Sequence, residues 1–157
     1  MEKHYGPKAS VCEIGGKKKT TRRTTNRCRF YKHKGDFTWE GIKDLPYKAE
    51  ACGWFHIMKR VLIGSRGEST NFHVRYFEIS PEGYSSLEKH MHEHVVICVK
   101  GKGIVRIGRT KKTMGFMDVI YISPDTVHQL INPFQDPFGF LCIVNSKRDK
   151  PRVLTKR

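Results

Sequence analysis

The chain has 157 residues, 38% of them hydrophobic, and a formal net charge of +15 at pH 7. That length suits one compact domain with a buried core. No apolar run is long enough to cross a bilayer, and the opening MEKHYGPKAS lacks the apolar stretch of a secretion signal, so a cytoplasmic protein without membrane contact is expected. The five cysteines are an odd number and form no Cys-x-x-Cys pair, so the sequence suggests neither a disulfide framework nor a zinc ribbon.

The positive charge is concentrated at the N-terminus. Residues 1–34 hold eleven lysines and arginines against two glutamates, and they show no apolar periodicity. This composition predicts a basic N-terminal arm that is largely disordered. Such an arm favours non-specific contact with nucleic acid, but it carries no reader motif, so nucleic-acid binding is not expected to be the function. Residues 147–157 are predicted to form a basic C-terminal tail.

Between these ends the sequence predicts a β-domain. Residues 35–52 are expected to form an extended lead-in whose Phe37, Trp39 and Tyr47 pack on the domain. Residues 53–146 consist of short β-rich runs without a long amphipathic helix, which predicts an all-β antiparallel sandwich or barrel. Strands are expected at 54–63, 72–79, 94–100, 104–107, 111–114, 118–122, 128–131 and 138–144. Breakers are expected at 64–67, 81–83, 101–103, 108, 124–125 and 132–137.

The stretch LEKHMHEHVVICVKGKG, residues 87–103, crowds three histidines before a strand. In an extended chain Glu88, His90, His92 and His94 lie on one face, because strand side chains alternate. Imidazoles that face an apolar interior are costly when charged and unpaired. Binding of a divalent transition metal removes that cost, because neutral imidazole is a strong ligand. His128, on a later predicted strand, is the candidate for a further ligand.

The spacing of these residues resembles the two motifs of the cupin superfamily. The first motif runs from Gly83 to Gly101, and the second includes Pro124, His128 and Asn132. The resemblance covers about residues 53–146 and implies a double-stranded β-helix, or jelly-roll, barrel. His94 stands where the family usually has its glutamate ligand, and Glu88 stands at the first histidine position. The implied metal ligands are Glu88, His90, His94 and His128, with His92 in place of Glu88 as the alternative.

The chemistry of that ligand set limits the choice of metal. Three imidazoles and one carboxylate leave positions open on a six-coordinate ion, which suits Mn, Fe, Co or Ni and also admits Zn. A small manganese-binding cupin subgroup is similar in its stretches KRVLIG and FLC, so manganese is favoured. Related cupins pair through their N-terminal strands, and this implies a homodimer formed by residues 37–49.

Cys142 is the candidate catalytic residue. Alternation along FGFLCIV places it on the same face as Phe140 and Val144. If it faces inward beside a metal, the nearby cation lowers the thiol pKa and favours the reactive thiolate. The alternative is that Cys142 acts only as a small buried hydrophobe, which is common for free cysteine.

Four residues are candidates for substrate binding. Arg75 at a barrel mouth could clamp a carboxylate or phosphate, or else form a surface pair with Glu78 or Glu82. His92, in the turn before the strand, could contact the substrate or support a metal ligand. Tyr121 and Gln129 could also reach the pocket.

Longer stretches resemble a cupin group that acts on thio-sugar phosphates, the methylthio-xylulose-phosphate methylsulfurylases. They include RYFEISPEGYSSLEKH and PFGFLCIVNSKRDKP. The resemblance implies that a metal binds the sugar oxygens, Cys142 attacks the thioether sulfur and basic residues hold the phosphate. Two alternatives stay open: a Mn- or Fe-dependent dioxygenase, with Cys142 only lining the pocket, and a non-catalytic metal- or small-ligand-binding protein.

Overall fold

The computed structural model describes residues 28–48 and 53–154. The predicted arm lies outside the described residues at 1–27, as do positions 49–52 of the lead-in and 155–157 of the C-terminal tail. Within the described ranges all regular secondary structure is strand, which confirms the predicted all-β class. No helix in this part of the chain has the length and apolar character needed to span a membrane.

Thirteen strands follow one another along the described residues. They are β1 (His33–Gly35), β2 (Thr38–Trp39), β3 (Leu45–Pro46), β4 (Phe55–Ile63), β5 (Phe72–Tyr84), β6 (Glu88–Lys89), β7 (His94–Lys100), β8 (Gly103–Ile107), β9 (Thr110–Met114), β10 (Val119–Ile122), β11 (His128–Ile131), β12 (Phe138–Asn145) and β13 (Arg152–Val153). The eight longer strands match the predicted ones within about one residue at each end, except that β5 continues five residues past its predicted end. The sequence missed β1, β2, β3, β6 and β13, because two or three residues are too few to show periodicity.

Two antiparallel runs of strands enclose the core. One run has the order β3-β4-β5-β12-β7-β10, and the other has the order β13-β6-β11-β8-β9. They meet where β11 pairs with the end of β5, at Ile131 and Tyr84. Between them lies an apolar cluster that includes Phe77, Val96 and Phe140 from the first run and Val105 and Leu130 from the second. The result is a barrel-like jelly roll with a packed interior.

Strand β5 differs from its prediction. The sequence placed a break at 81–83, but the strand continues through Pro81 to Tyr84. A bulge reconciles the two, because the pairing with β4 passes from Ile57–Ile79 to Phe55–Tyr84 and leaves several residues of β5 unpaired. Glu82 adopts a positive φ of 63° within this bulge. Proline and a left-handed residue are tolerated there because the bulged residues are free of ladder bonds.

The alternation predicted for β12 and β7 is confirmed. Cys142 and Val144 are buried, while Leu141 and Ile143 between and beside them are partly exposed. Pairing sets Cys142 opposite Arg75 of β5 on one side and opposite Val96 of β7 on the other. The next inward row pairs Val144 with His94. Register therefore brings a cysteine, an arginine and a histidine together inside the barrel.

The lead-in packs on the barrel as predicted. Phe37 stacks on Tyr76 with ring centroids 5.3 Å apart, and Trp39 meets the same ring edge-on at 5.6 Å. Tyr47 contacts Phe77, with ring centroids 5.8 Å apart. Upstream of the lead-in, Tyr31 donates a hydrogen bond of 2.7 Å to Glu68. Residues 28–48 thus pack against the barrel through Tyr31, Phe37, Trp39 and Tyr47.

Candidate metal centre and cavity

A cavity of about 420 Å³ opens into the barrel between the two runs of strands. Its lining includes the predicted Arg75, Glu88, His92, His94, His128 and Cys142. The remaining lining residues are Tyr47, Lys48, Ile57, Lys59, Phe77, Ser85, Val96, Leu130, Phe140, Arg148, Lys150, Pro151 and Val153. This volume is typical of small-molecule sites. One end of the cavity carries imidazoles, and much of its remaining polar lining is basic.

Backbone carbonyls orient two of the histidines. The carbonyl of His92 lies 2.7 Å from His90 Nδ1, and the carbonyl of Thr126 lies 2.8 Å from His128 Nδ1. A carbonyl can only accept, so each Nδ1 carries the proton and each Nε2 presents a lone pair. This arrangement holds an imidazole in the tautomer that binds a metal through Nε2.

His94 joins the histidine cluster to the cysteine. Its Nε2 lies 2.8 Å from His90 Nε2, and its Nδ1 lies 3.1 Å from Cys142 Sγ. All three side chains are buried. Because His90 Nε2 already presents a lone pair, His94 Nε2 carries the proton that bridges the two rings. The same two nitrogens would share a metal ion, so their approach fits a common ligand position.

Two groups of possible metal ligands overlap at one histidine. Glu88, His90 and His128 form one group, and His90, His92 and His94 form the other, with the ligand atoms of each group within 4.8 Å of one another. The structure thus brings all four predicted ligands and the alternative His92 to one place. His90 belongs to both groups, so it is the common element of any ligand set. Buried imidazoles and a carboxylate are donors that suit a divalent transition metal.

Burial keeps these histidines neutral. Burial, followed by the charges of the neighbouring His92 and His128, lowers the pKa of His90 to about 4. Burial likewise holds the pKa of His94 well below its usual value. A metal binds the neutral ring, so these residues need lose no net proton at neutral pH, although the His94 proton would move from Nε2 to Nδ1.

Glu88 has two polar neighbours besides the histidines. Lys48 of the lead-in forms an ion pair with its Oε2, and Ser86 donates a hydrogen bond of 2.6 Å to the same oxygen. Glu88 also pairs with His128 across β6 and β11. A carboxylate fixed in this way can orient toward a metal through its other oxygen.

His92 is held from outside the barrel. Its ring stacks on His90 with centroids 3.6 Å apart, and its Nδ1 lies 2.7 Å from Asp149 Oδ1. The Asp149 carboxylate also accepts from the backbone N–H of Met91. That backbone bond, followed by the bond to His92, lowers the pKa of Asp149 to about 2. The charged carboxylate keeps the proton on Nδ1 and leaves His92 Nε2 available for a metal or a substrate.

Cys142 faces the cavity together with Phe140, with which alternation predicted it to share a face. Arg75 Nη2 donates to its sulfur at 3.3 Å. Burial raises the thiol pKa, and the charge of Arg75 opposes that rise. A nearby metal is expected from the sequence to lower this pKa. Among the described side chains the net effect is a rise, because the sulfur is enclosed by β5, β7 and β12 and its desolvation outweighs the charge of Arg75.

Two predicted substrate-binding residues lie elsewhere. Tyr121 is 60% exposed on β10 and does not line the cavity. Gln129 is buried, but it donates to the Ser85 carbonyl at 2.8 Å, while its neighbours His128 and Leu130 face the cavity. Strand alternation explains the position of Gln129, since it follows His128 directly. Tyr121 points outward because its neighbour on β10, the buried Ile122, points inward.

Sequence reasoning missed three cavity cations, Lys48, Arg148 and Lys150. Lys48 precedes the barrel. Arg148 and Lys150 fall in the predicted C-terminal tail, yet they line the cavity. The chain returns because β13 pairs with β6, where Val153 lies opposite Glu88. The apolar Val153 and Leu154, which stand among charged residues, were the local sign that this segment packs on the domain.

The fold and this centre define a small cupin, and comparison with known proteins agrees. A cupin domain model matches residues 75–144. The chain is 35% identical over 127 residues to 1-methylthio-D-xylulose 5-phosphate methylsulfurylase of Rhodospirillum rubrum, an alignment that covers 81% of each chain. This chain belongs to the cupin family.

Solved structures of two cupin-2 proteins superpose well on this chain. One, from Rhodospirillum rubrum, has a TM-score of 0.70 at 34% identity and covers 81% of this chain and 84% of its own. The other, from Rhodopseudomonas palustris, has a TM-score of 0.74 at 32% identity and covers 81% and 87%. The predicted jelly-roll barrel is therefore confirmed.

Proposed function

We propose that this protein is a metal-dependent cupin enzyme that acts on a small, oxygen-rich sugar phosphate, in the manner of a methylsulfurylase. Manganese is the favoured ion, held by His90, His94 and His128 with Glu88 or His92. Bound there, a divalent ion supplies Lewis-acid polarisation of keto and hydroxyl oxygens. The similarity to the Rhodospirillum rubrum methylsulfurylase supports the substrate class.

One observation carries the proposal: a buried thiol lies between the histidine centre and a cation. His94 Nδ1 and Arg75 Nη2 approach Cys142 Sγ at 3.1 and 3.3 Å. A dioxygenase needs the histidines but has no use for a cysteine held between an imidazole and a guanidinium. A nucleophilic thiol needs such neighbours. The Arg75 guanidinium stabilises the thiolate by its charge, and with a metal on Nε2 the His94 ring would carry its proton on Nδ1 and donate it to the sulfur.

The residues supply the parts of a sulfur-transfer step. The Cys142 thiolate attacks the thioether sulfur, so that an S–S bond forms and the C–S bond breaks. The electron pair leaves on the carbon beside the substrate carbonyl, where a proton is then taken up. A thiol from solution then attacks the methyl sulfur of the mixed disulfide and takes over the methylthio group, which restores Cys142. A second solution thiol reduces the resulting methyl disulfide, so that methanethiol is released and the two solution thiols end as one disulfide. Enclosure of the sulfur within the barrel protects it from unrelated oxidants.

The test combines metal analysis with turnover of 1-methylthio-D-xylulose 5-phosphate in the presence of a thiol. The native protein should carry stoichiometric transition metal and release methanethiol. His90→Ala should lose metal and activity together, because His90 belongs to both ligand groups. Cys142→Ser should keep the metal and lose turnover by at least about a thousandfold, as expected when a nucleophile is removed.

Cys98→Ser is the matched control. Cys98 is also fully buried, but its thiol points to the carbonyls of Lys100 and Gly101 and does not line the cavity. It should retain turnover within about threefold, since no reacting group is touched. Oxygen consumption without methanethiol release would instead identify a dioxygenase, and native protein without bound transition metal would refute the proposal.

A further inference from the structure

The charged side chains that line the cavity are mostly cationic. Five cations line it, namely Lys48, Lys59, Arg75, Arg148 and Lys150, against the single carboxylate of Glu88. Lys48 pairs with that carboxylate. Within residues 28–48 and 53–154, the other four cations form no ion pair with an acidic side chain. Lys59 and Arg75 are half-buried, whereas Arg148 and Lys150 are exposed. Cations gathered around a cavity without counter-charge favour an anionic ligand.

Strand pairing groups three of these cations. Lys59 lies opposite Phe77 on β5, two residues from Arg75, so Lys59 and Arg75 are diagonal neighbours. Arg148 donates to His73 Nδ1 at 3.0 Å, and His73 is likewise two residues from Arg75 on the same strand. Burial lowers the pKa of Lys59, and the charges of Arg75 and Arg148 lower it further. The three groups therefore repel one another across a shared space.

Arg75 also has an unused donor. Its Nη2 contacts Cys142, but its Nε is buried and has no hydrogen-bond partner. A buried, unsatisfied N–H on a charged group is costly and calls for an acceptor. The fork of an arginine matches the oxygens of a phosphoryl group, which offers several acceptors and up to two negative charges.

Residues 146–154, called here the C-terminal strap, hold Arg148 and Lys150 at the cavity mouth. The strap is fixed at one end by the backbone bond from Ser146 to the Asn71 carbonyl, at 2.9 Å. At the other end Leu154 donates to the Leu87 carbonyl at 2.8 Å. In between, Asp149 accepts from the Met91 N–H. Arg148 is thus positioned by three anchors that lie outside the barrel strands.

We propose that Lys59, Arg75 and Arg148 form the phosphoryl-binding subsite of the cavity, and that the C-terminal strap completes it by supplying Arg148. The inference rests on the proposed function for its substrate, but the subsite itself needs neither metal nor turnover. The subsite lies beside Cys142, because Arg75 belongs to the subsite and also donates to the Cys142 sulfur. A phosphoryl group held there would orient the rest of a short sugar toward the histidines. Recognition of the phosphate is then the main source of substrate specificity.

The test is calorimetric titration of the full-length protein with inorganic phosphate, D-xylulose 5-phosphate and D-xylulose. Arg148→Gln should weaken binding of both phosphorylated ligands about tenfold to a hundredfold, the usual value of one charged hydrogen bond. Binding of D-xylulose should not change. Arg152→Gln is the matched control, because Arg152 lies on the same strap and is exposed like Arg148, but does not line the cavity. Its phosphate affinity should stay within about twofold of the native value.

Arg75→Lys provides a second variant that keeps the charge but loses the fork, and its fold is checked by circular dichroism. It should also weaken phosphate binding about tenfold. The inference is overturned if Arg148→Gln binds phosphate as the native protein does, or if Arg152→Gln loses as much affinity. Equal binding of acetate and phosphate would overturn the phosphoryl assignment. Retained phosphate binding in a protein without methanethiol release would reject only the proposed function.

Discussion

Asn132 follows β11, the strand that carries His128, and binds it to other parts of the barrel. Replacing Asn132 tests how much these hydrogen bonds stabilise the fold around the site. The side chain is fully buried. Its Nδ2 donates to the carbonyls of Ile79 and Asp136 at 2.8 and 2.9 Å, and its Oδ1 accepts from the Phe134 N–H at 3.0 Å. Four residues earlier on the same strand segment lies His128. Asn132 therefore fixes the end of β11 relative to β5.

Asn132→Ala should lower the free energy of unfolding by about 3 kcal/mol. The Ile79 bond is buried, so its loss contributes roughly 2 kcal/mol, while the other two bonds are partly accessible to water and contribute about 0.5 kcal/mol each. For a domain of this size the melting temperature should fall by about 10 °C. Asn132→Asp should cost at least as much, because it places carboxylate oxygens against two carbonyls.

Urea unfolding followed by tryptophan fluorescence measures this loss. Asn145→Ala is the matched control, because Asn145 makes the same kind of bond to the N–H two residues later, at 2.9 Å, but is exposed. It should change stability by less than about 0.5 kcal/mol. A loss below about 1 kcal/mol for Asn132→Ala would refute the reasoning, since the three bonds would then be replaceable by water.

Two further outcomes are expected. Gly103→Ala should lower the free energy of unfolding in urea by about 3 kcal/mol, because a Cβ there would overlap the ring of the fully buried Phe138. Gly115→Ala is the control and should be nearly neutral, because its Cβ would meet nothing closer than Asp118 Oδ2 at 3.8 Å. The metal-free protein should lose stability as the pH falls from about 6.5 toward 4, by about 1.4 kcal/mol per unit for each such histidine, because the lowered pKa of His90 and His94 makes the unfolded chain bind more protons there. Constant stability between pH 8 and 5 after chelation would contradict this.

The sequence by itself determined the strand pattern and the identity of the central residues. Alternation alone predicted that Phe140, Cys142 and Val144 share one face, since a strand has only two faces. The spacing of His90, His94 and His128 was enough to resemble the cupin motifs. These features are local, so each can be recognised within a few residues. The same local reasoning was wrong at Pro81, where β5 continues through a bulge instead of ending.

Only the tertiary structure decided what surrounds those residues. Arg148 and Lys150 enter the cavity because β13 pairs with β6, a contact between segments more than sixty residues apart. Tyr121 lies on an outward face, which its strand pattern did not reveal. The charge of the cavity, and hence the anion it favours, arises from side chains contributed by the lead-in, two barrel strands and the strap. Long-range pairing of this kind depends on the closed fold, because no local pattern encodes which distant segment covers an opening.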